Sequence, residues 1–168
     1  MRQTINSQRI LVVDDEPLVL SAMEGLLGFD AHRVQTVTDG EAALEKLALH
    51  PFDIVFTDIG MPKMPGDVLA KAIKTQFPNQ IVVMLTGSAE PLYRNQGESA
   101  FFDFTLAKPF HLHELRDILC KAVLKQAAQN PEFNFVCKHD WLSIQRRLHK
   151  GGNTEHTHPC RNRIAAPV

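Results

Sequence analysis

Four short apolar runs, rich in β-branched and aromatic residues, punctuate the chain: Ile10-Leu11-Val12-Val13, Phe52-Asp53-Ile54-Val55-Phe56-Thr57, Ile81 to Leu85, and Phe101 to Ala107. Each is too short for a helix and is followed by a polar residue, a pattern that predicts strands buried on both faces. Arg33-Val34-Gln35-Thr36-Val37 is weaker and fits an edge strand. Between these runs the period becomes helical. Leu18, Ala22 and Leu26 follow Pro17; Ala42, Ala43 and Leu47 follow Asp39-Gly40; Val68, Leu69, Ala72 and Ile73 follow Pro65-Gly66. The clearest stripe comes after Lys108-Pro109 and carries Leu112, Leu115, Ile118, Leu119, Ala122 and Val123. The polar segment from Ala89 to Ser99, with Pro91 near its start, is read as one more helix. Five strands alternating with five helices predict a parallel sheet covered on both sides, because parallel neighbours need right-handed crossovers.

The chain has 168 residues, room for one full domain and a small appendage. Hydrophobic residues make up 44% and charged residues 22%, enough apolar material for a core without disulfide or metal staples. Ile81 to Leu85 is the longest purely apolar run, far short of the ~20 residues of a membrane-spanning helix. Met1 to Ser7 lacks the apolar core of a signal peptide, so the expectation is a soluble, cytoplasmic protein with no membrane partner. Three widely spaced cysteines, Cys120, Cys137 and Cys160, form no disulfide framework and fit a reducing compartment.

The net charge of -1 hides an asymmetry. Residues 1–129 hold 12 basic against 16 acidic side chains, and residues 130–168 hold 6 against 3. The change falls at Asn130-Pro131, a break after the last helical stripe, which divides the chain into a short lead (1–8), a domain (9–129) and a polar, basic, His-rich tail (130–168). In the tail, Cys137-x-His139 and His156-x-His158-x-Cys160 bracket a short helical pattern of Trp141, Ile144 and Leu148. Paired Cys and His could close around zinc, but this spacing matches no zinc motif, and the composition is that of a largely irregular, flexible segment. A single short helix cannot build a winged-helix or helix-turn-helix reader, so no dedicated DNA-binding domain is expected in it.

In open parallel sheets the functional site lies outside the carboxyl ends of the strands, where the strand order reverses. That rule selects Asp14, Asp15, Asp58, Thr86 and Lys108, which all stand at the ends of the apolar runs. Crowded carboxylates repel unless a cation compensates. All the candidate ligands are hard oxygens, which suits a partly hydrated Mg²⁺. Asp58, opposite the Asp14-Asp15 pair, would then be placed as a nucleophile toward phosphorus, with Lys108 and the Thr86 hydroxyl serving the phosphoryl oxygens.

Four motifs carry a family resemblance: Leu11-Val12-Val13-Asp14-Asp15-Glu16-Pro17, then Asp58-Ile59-Gly60-Met61-Pro62-Lys63-Met64-Pro65-Gly66, then Leu85-Thr86-Gly87-Ser88, then Lys108-Pro109-Phe110. Over roughly residues 9 to 127 the chain resembles the receiver domain of two-component response regulators. The resemblance implies a flavodoxin-like (βα)5 fold with strand order 2-1-3-4-5. It implies that Asp58 takes a phosphoryl group from the phosphohistidine of a sensor histidine kinase or phosphotransfer protein. Mg²⁺ would be held by Asp15, Asp58 and the Gly60 backbone carbonyl, with Asp14 acting through metal-bound water. Lys108 and Thr86 would contact the phosphate. Output would pass to a downstream protein target or through homodimer formation, and the protein would not be an enzyme beyond handling its own phosphoryl group.

One position departs from the family pattern. Receivers usually carry Tyr or Phe three residues before the lysine; this chain has Thr105 there, with Phe104 beside it. The switch that carries the signal away from the site is therefore expected at Phe104 or Thr105. Two rival readings share the same residues. A metal-dependent phosphatase using an aspartyl phosphate usually has Asp-x-Asp after its first strand, whereas this chain has adjacent Asp14 and Asp15. A pseudo-receiver scaffold would lack some of the acidic and lysine positions that are present.

Overall fold

A computed structural model of the chain describes residues 7–87 and 101–129. The elements run β1 (Arg9–Val13), α1 (Pro17–Phe29), β2 (Arg33–Val37), α2 (Gly40–Leu49), β3 (Ile54–Asp58), α3 (Gly66–Gln76), β4 (Ile81–Thr86), β5 (Phe104–Ala107) and α4 (Leu112–Gln129). All strand pairs are parallel and the sheet order is β2-β1-β3-β4-β5, as the family resemblance implies. The helix expected over Ala89 to Ser99 lies outside the described residues, as does the tail from Asn130. The chain divides into two units, Met1–Pro131 and Glu132–Val168, and only the first contains described residues.

Strand side chains alternate between two apolar layers. Ile10, Val12, Ile54, Phe56, Val83, Leu85 and Leu106 pack beneath α1 and α4. Leu11, Val13, Val55, Val82 and Met84 pack beneath α2 and α3. The three central strands are buried along nearly their whole length, so their sequences read as continuous apolar runs and not as alternation. β2, at the edge, alternates exposed and half-buried positions.

Two expectations shift. On α1 the buried residues are Leu20, Met23 and Leu27, whereas Leu18 is 83% exposed, Ala22 is exposed and Leu26 only half-buried. The stripe read from the sequence is thus rotated off the face that meets the sheet. β5 begins at Phe104, later than the apolar run that starts at Phe101. Phe101 and Phe102 instead pack against the layer under α2 and α3 from the segment leading into β5.

That entry into β5 is pinned by Asp103. Its carboxylate accepts from the Val82 N–H at 2.8 Å, from Lys74 Nζ of α3 at 2.7 Å and from Lys125 Nζ of α4 at 2.6 Å. Burial pushes the Asp103 carboxyl upward, but the two ammonium groups and the amide outweigh it and hold its pKa below the usual carboxylate value. One acid thus ties helices on both faces of the sheet to β4.

Candidate functional site

Strand order reverses between β1 and β3, and the carboxyl ends of these neighbours carry Asp14 and Asp58. The β1–β3 register, Val13 opposite Thr57, sets both acids on the same rim of the sheet. Asp14 is fully buried and Asp58 is 8% exposed. Lys108 follows β5 and reaches back across the rim, its Nζ lying 2.7 Å from Asp14 Oδ2 and 2.6 Å from Asp58 Oδ1. The Lys108 N–H also donates to the Thr86 carbonyl at 2.6 Å, which fixes the root of the lysine to the end of β4. Burial works to lower the Lys108 pKa; hydrogen bonds and charge from Asp14 and Asp58 overcome it and raise it above the ordinary lysine value. The ammonium is therefore a fixed positive charge between two carboxylates.

The second oxygen of each acid is held by backbone. Asp14 Oδ1 accepts from the Glu16 N–H at 2.9 Å, at the entry to α1. Asp58 Oδ2 accepts from the Gly60 N–H at 2.6 Å. The loop after Asp58 can make that turn because Gly66 lies against its root: a β-carbon on Gly66 would fall on the Asp58 carbonyl. The Gly66 N–H closes the loop by donating to the Ile59 carbonyl at 3.1 Å.

Of the residues selected from the sequence, Asp14, Asp58 and Lys108 are joined directly. Thr86 is buried at the end of β4 on the same rim, paired in register with Ala107. Asp15 is exposed beside Asp14. Gly60 meets Asp58 through its amide. Among the described residues no group of three or more His, Cys, Asp or Glu closes into a metal cage. An open, all-oxygen set of this kind still fits Mg²⁺, which keeps several waters and takes only one or two carboxylates. Phe104 and Thr105 face opposite ways. Phe104 packs against the layer under α1 and α4, with Lys125 Nζ 5.7 Å from its ring centre, while Thr105 is exposed.

Two contributors escaped the sequence reading. The Gly60 amide is a backbone donor and leaves no side-chain signature; the family resemblance points to Gly60 through its carbonyl alone. Asp103 has an acidic side chain but no motif, and its two lysine partners are 29 and 22 positions away in sequence.

Comparison with known proteins identifies this arrangement. The model of the response regulator receiver domain matches residues 10–120. The chain belongs to the response regulator receiver family. Receivers are the signalling modules of two-component systems. The transcriptional regulatory protein CutR of Streptomyces coelicolor is 38% identical over 108 residues, 64% of this chain and 49% of CutR. This receiver chain thus spans about half the length of that relative. The chemotaxis response regulator CheY4 of Vibrio cholerae superposes with a TM-score of 0.64 at 28% identity, covering 70% of this chain and 99% of CheY4. The response regulator TrrA of Thermotoga maritima, solved in complex with Mg²⁺ and BeF, gives 0.63 at 31% identity over 68% of this chain and 98% of TrrA. No helix among the receiver's described residues is long and apolar enough to cross a membrane.

Proposed function

We propose that this receiver accepts a phosphoryl group on Asp58 from the phosphohistidine of a sensor histidine kinase or phosphotransfer protein, in a Mg²⁺-dependent reaction that switches partner binding. The observation that carries the reading is the Asp14–Lys108–Asp58 bridge at the carboxyl ends of β1, β5 and β3. Asp58 is a carboxylate whose neighbours are organised around it, with one oxygen on an ammonium and the other on an amide. Attack of a carboxylate oxygen on phosphorus forms the acyl phosphate as the phosphorus–nitrogen bond of the donor breaks and its electron pair returns to the imidazole. The phosphoryl oxygens spread negative charge in the transition state. Lys108 Nζ, already fixed beside Asp58 Oδ1, answers part of that charge, and the Thr86 hydroxyl on the same rim supplies a hydrogen-bond donor.

Mg²⁺ would be held by Asp15, Asp58 and the Gly60 carbonyl, with Asp14 acting through a metal-bound water; when bound it supplies the positive charge that two or three clustered acids and a phosphate require. Asp15, exposed at the rim, is free to turn toward it. Output would go to a downstream protein or to a second copy of the chain. Phe104 and Thr105 remain the proposed switch positions. Their opposite orientations give them different roles, Phe104 reporting to α4 through the packed layer and Thr105 to whatever lies over the exposed face.

The test is incubation of the chain with a small phosphodonor and Mg²⁺, followed by intact-mass measurement. One added phosphoryl group, absent in Asp58→Asn and in the presence of a chelator, is the expected result. Label that persists in Asp58→Asn overturns the assignment. Repeated turnover of a generic phosphomonoester would point to a phosphatase instead.

A further inference from the structure

The loop that presents the Gly60 amide to Asp58 is braced from the side by α2. Within the loop Lys63 takes a φ of 66°, and the Met64 N–H donates to the Pro62 carbonyl at 2.8 Å. The Met64 side chain leaves this tight turn and packs against the apolar layer under α2 and α3. Its seat is Gly40, the first residue of α2. A β-carbon added at Gly40 would stand 2.5 Å from Met64 Sδ, 3.0 Å from Cγ and 3.1 Å from Cβ. The last distance matters most. Swinging the thioether aside relieves Sδ and Cγ, but relief at Cβ requires the Met64 backbone to move. Gly40 cannot retreat to make room, because it is buried and its helix is capped by Asp39, whose Oδ1 accepts from the Ala42 N–H at 2.9 Å.

We propose that Gly40 and Met64 are a positioning pair for the phosphoacceptor. Glycine leaves a notch in the first turn of α2, Met64 seats in it, and the seated side chain fixes the loop that holds the Gly60 N–H 2.6 Å from Asp58 Oδ2. The loop is short and closed at its root by the Gly66 N–H on the Ile59 carbonyl, so a displacement at Met64 has few places to dissipate before it reaches Gly60. The pair sets how well Asp58 is oriented, and with it the rate of phosphoryl acceptance. This inference rests on Asp58 being the acceptor, and it adds that α2, which contributes no side chain to the site, governs its geometry.

Three variants test it: Gly40→Ala, Met64→Ala and the double variant Gly40→Ala/Met64→Gly. The readouts are the rate of labelling by a small phosphodonor with Mg²⁺, the amide resonance of Gly60, and thermal melting. Gly40→Ala should shift the Gly60 resonance and slow labelling by roughly tenfold, since a misplacement of about 1 Å at a reacting group can cost about a hundredfold in rate and the displacement required here is a few tenths of that. Met64→Ala, which empties the notch, should broaden the same resonance. In the double variant glycine at 64 removes Sδ, Cγ and the Cβ atom that the new methyl group would meet, so labelling should recover part of what Gly40→Ala loses. A general loss of stability would lower melting in the double variant further without any such recovery. Wild-type labelling and an unmoved Gly60 resonance in a folded Gly40→Ala overturn the proposal, as does a double variant no faster than Gly40→Ala. If Gly40→Ala does not fold, an unchanged Gly60 resonance in Met64→Ala overturns it as well. Should the wild-type chain take no label, the acceptor reading fails, while the Gly60 resonance still decides whether the notch holds the loop.

Discussion

One ammonium holds together the two inward carboxylates of the site. Without Lys108, Asp14 and Asp58 would face each other unbalanced on a buried rim, and like charges there disfavour joint ionisation. Lys108 and a metal ion are thus alternative compensators for the same acids, which separates their roles by mutation. Lys108→Ala should retain Mg²⁺ binding or strengthen it, because the resident cation is gone, while its phosphorylated form loses the partner response. Asp15→Ala should lose most of the Mg²⁺ affinity and leave the lysine bridge intact. Calorimetric titration of both variants with Mg²⁺ checks this, and equal loss in the two contradicts it. Asp14, Asp58 and Lys108 were legible in the sequence because the strand-end rule needs only the apolar runs and the polar residue that follows each. The Gly60 amide and the Gly40 notch were not, since a backbone donor and a missing side chain leave no chemical mark. Position 105 was legible only as a departure: the sequence offers Phe104 as a substitute, yet alternation along β5 turns neighbouring side chains to opposite faces.

At the scale of elements, the strands were easier to read than the faces of the helices. A strand buried on both sides announces itself by composition alone, and β1, β3 and β4 are of that kind. α1 is ambiguous because Leu18, Val19 and Leu20 are consecutive, so two stripes of helical spacing run along it: Leu18-Ala22-Leu26 and Leu20-Met23-Leu27. Periodicity proves the helix and cannot choose between them. The β1–α1 connection chooses, by fixing how far the helix has turned when it meets the sheet. Leu18 at 83% exposure contributes no burial, whereas Met23 is fully buried under the sheet. Leu18→Ser should change unfolding free energy by no more than about 0.5 kcal/mol, as for an ordinary surface position. Met23→Ala should cost about 2–5 kcal/mol through lost transfer energy and the cavity left behind. Urea denaturation of the two variants decides which stripe is the core. Reversed values would restore the stripe first read from the sequence.

For the molecule as a whole, the question is where the cooperative unit ends. Every residue of the two apolar layers lies between Ile10 and Ala122, so the described core is complete seven residues before α4 stops at Gln129. The last turns of α4 are themselves tied to the sheet: the Gln126 side-chain amide donates to the Asp53 carbonyl just ahead of β3, and Lys125 reaches Asp103 ahead of β5. Asp53 in turn accepts from the Arg9 N–H at 2.7 Å, which closes the foot of the sheet around β1. Residues 130–168 carry a charge excess, 6 basic against 3 acidic side chains. A chain cut after Gln129 should therefore melt within a few degrees of the full chain and accept label at Asp58 at a similar rate. Its altered net charge should appear instead in association: capture of an anionic partner should weaken on truncation, and the difference between the two forms should shrink as salt rises, because contacts between exposed charges are screened beyond about 10 Å at 0.1 M ionic strength. Melting, labelling and partner capture at two salt concentrations measure all three. A truncated chain that fails to fold or to take label would move the boundary of the cooperative unit beyond Gln129 and make the basic segment part of the receiver itself.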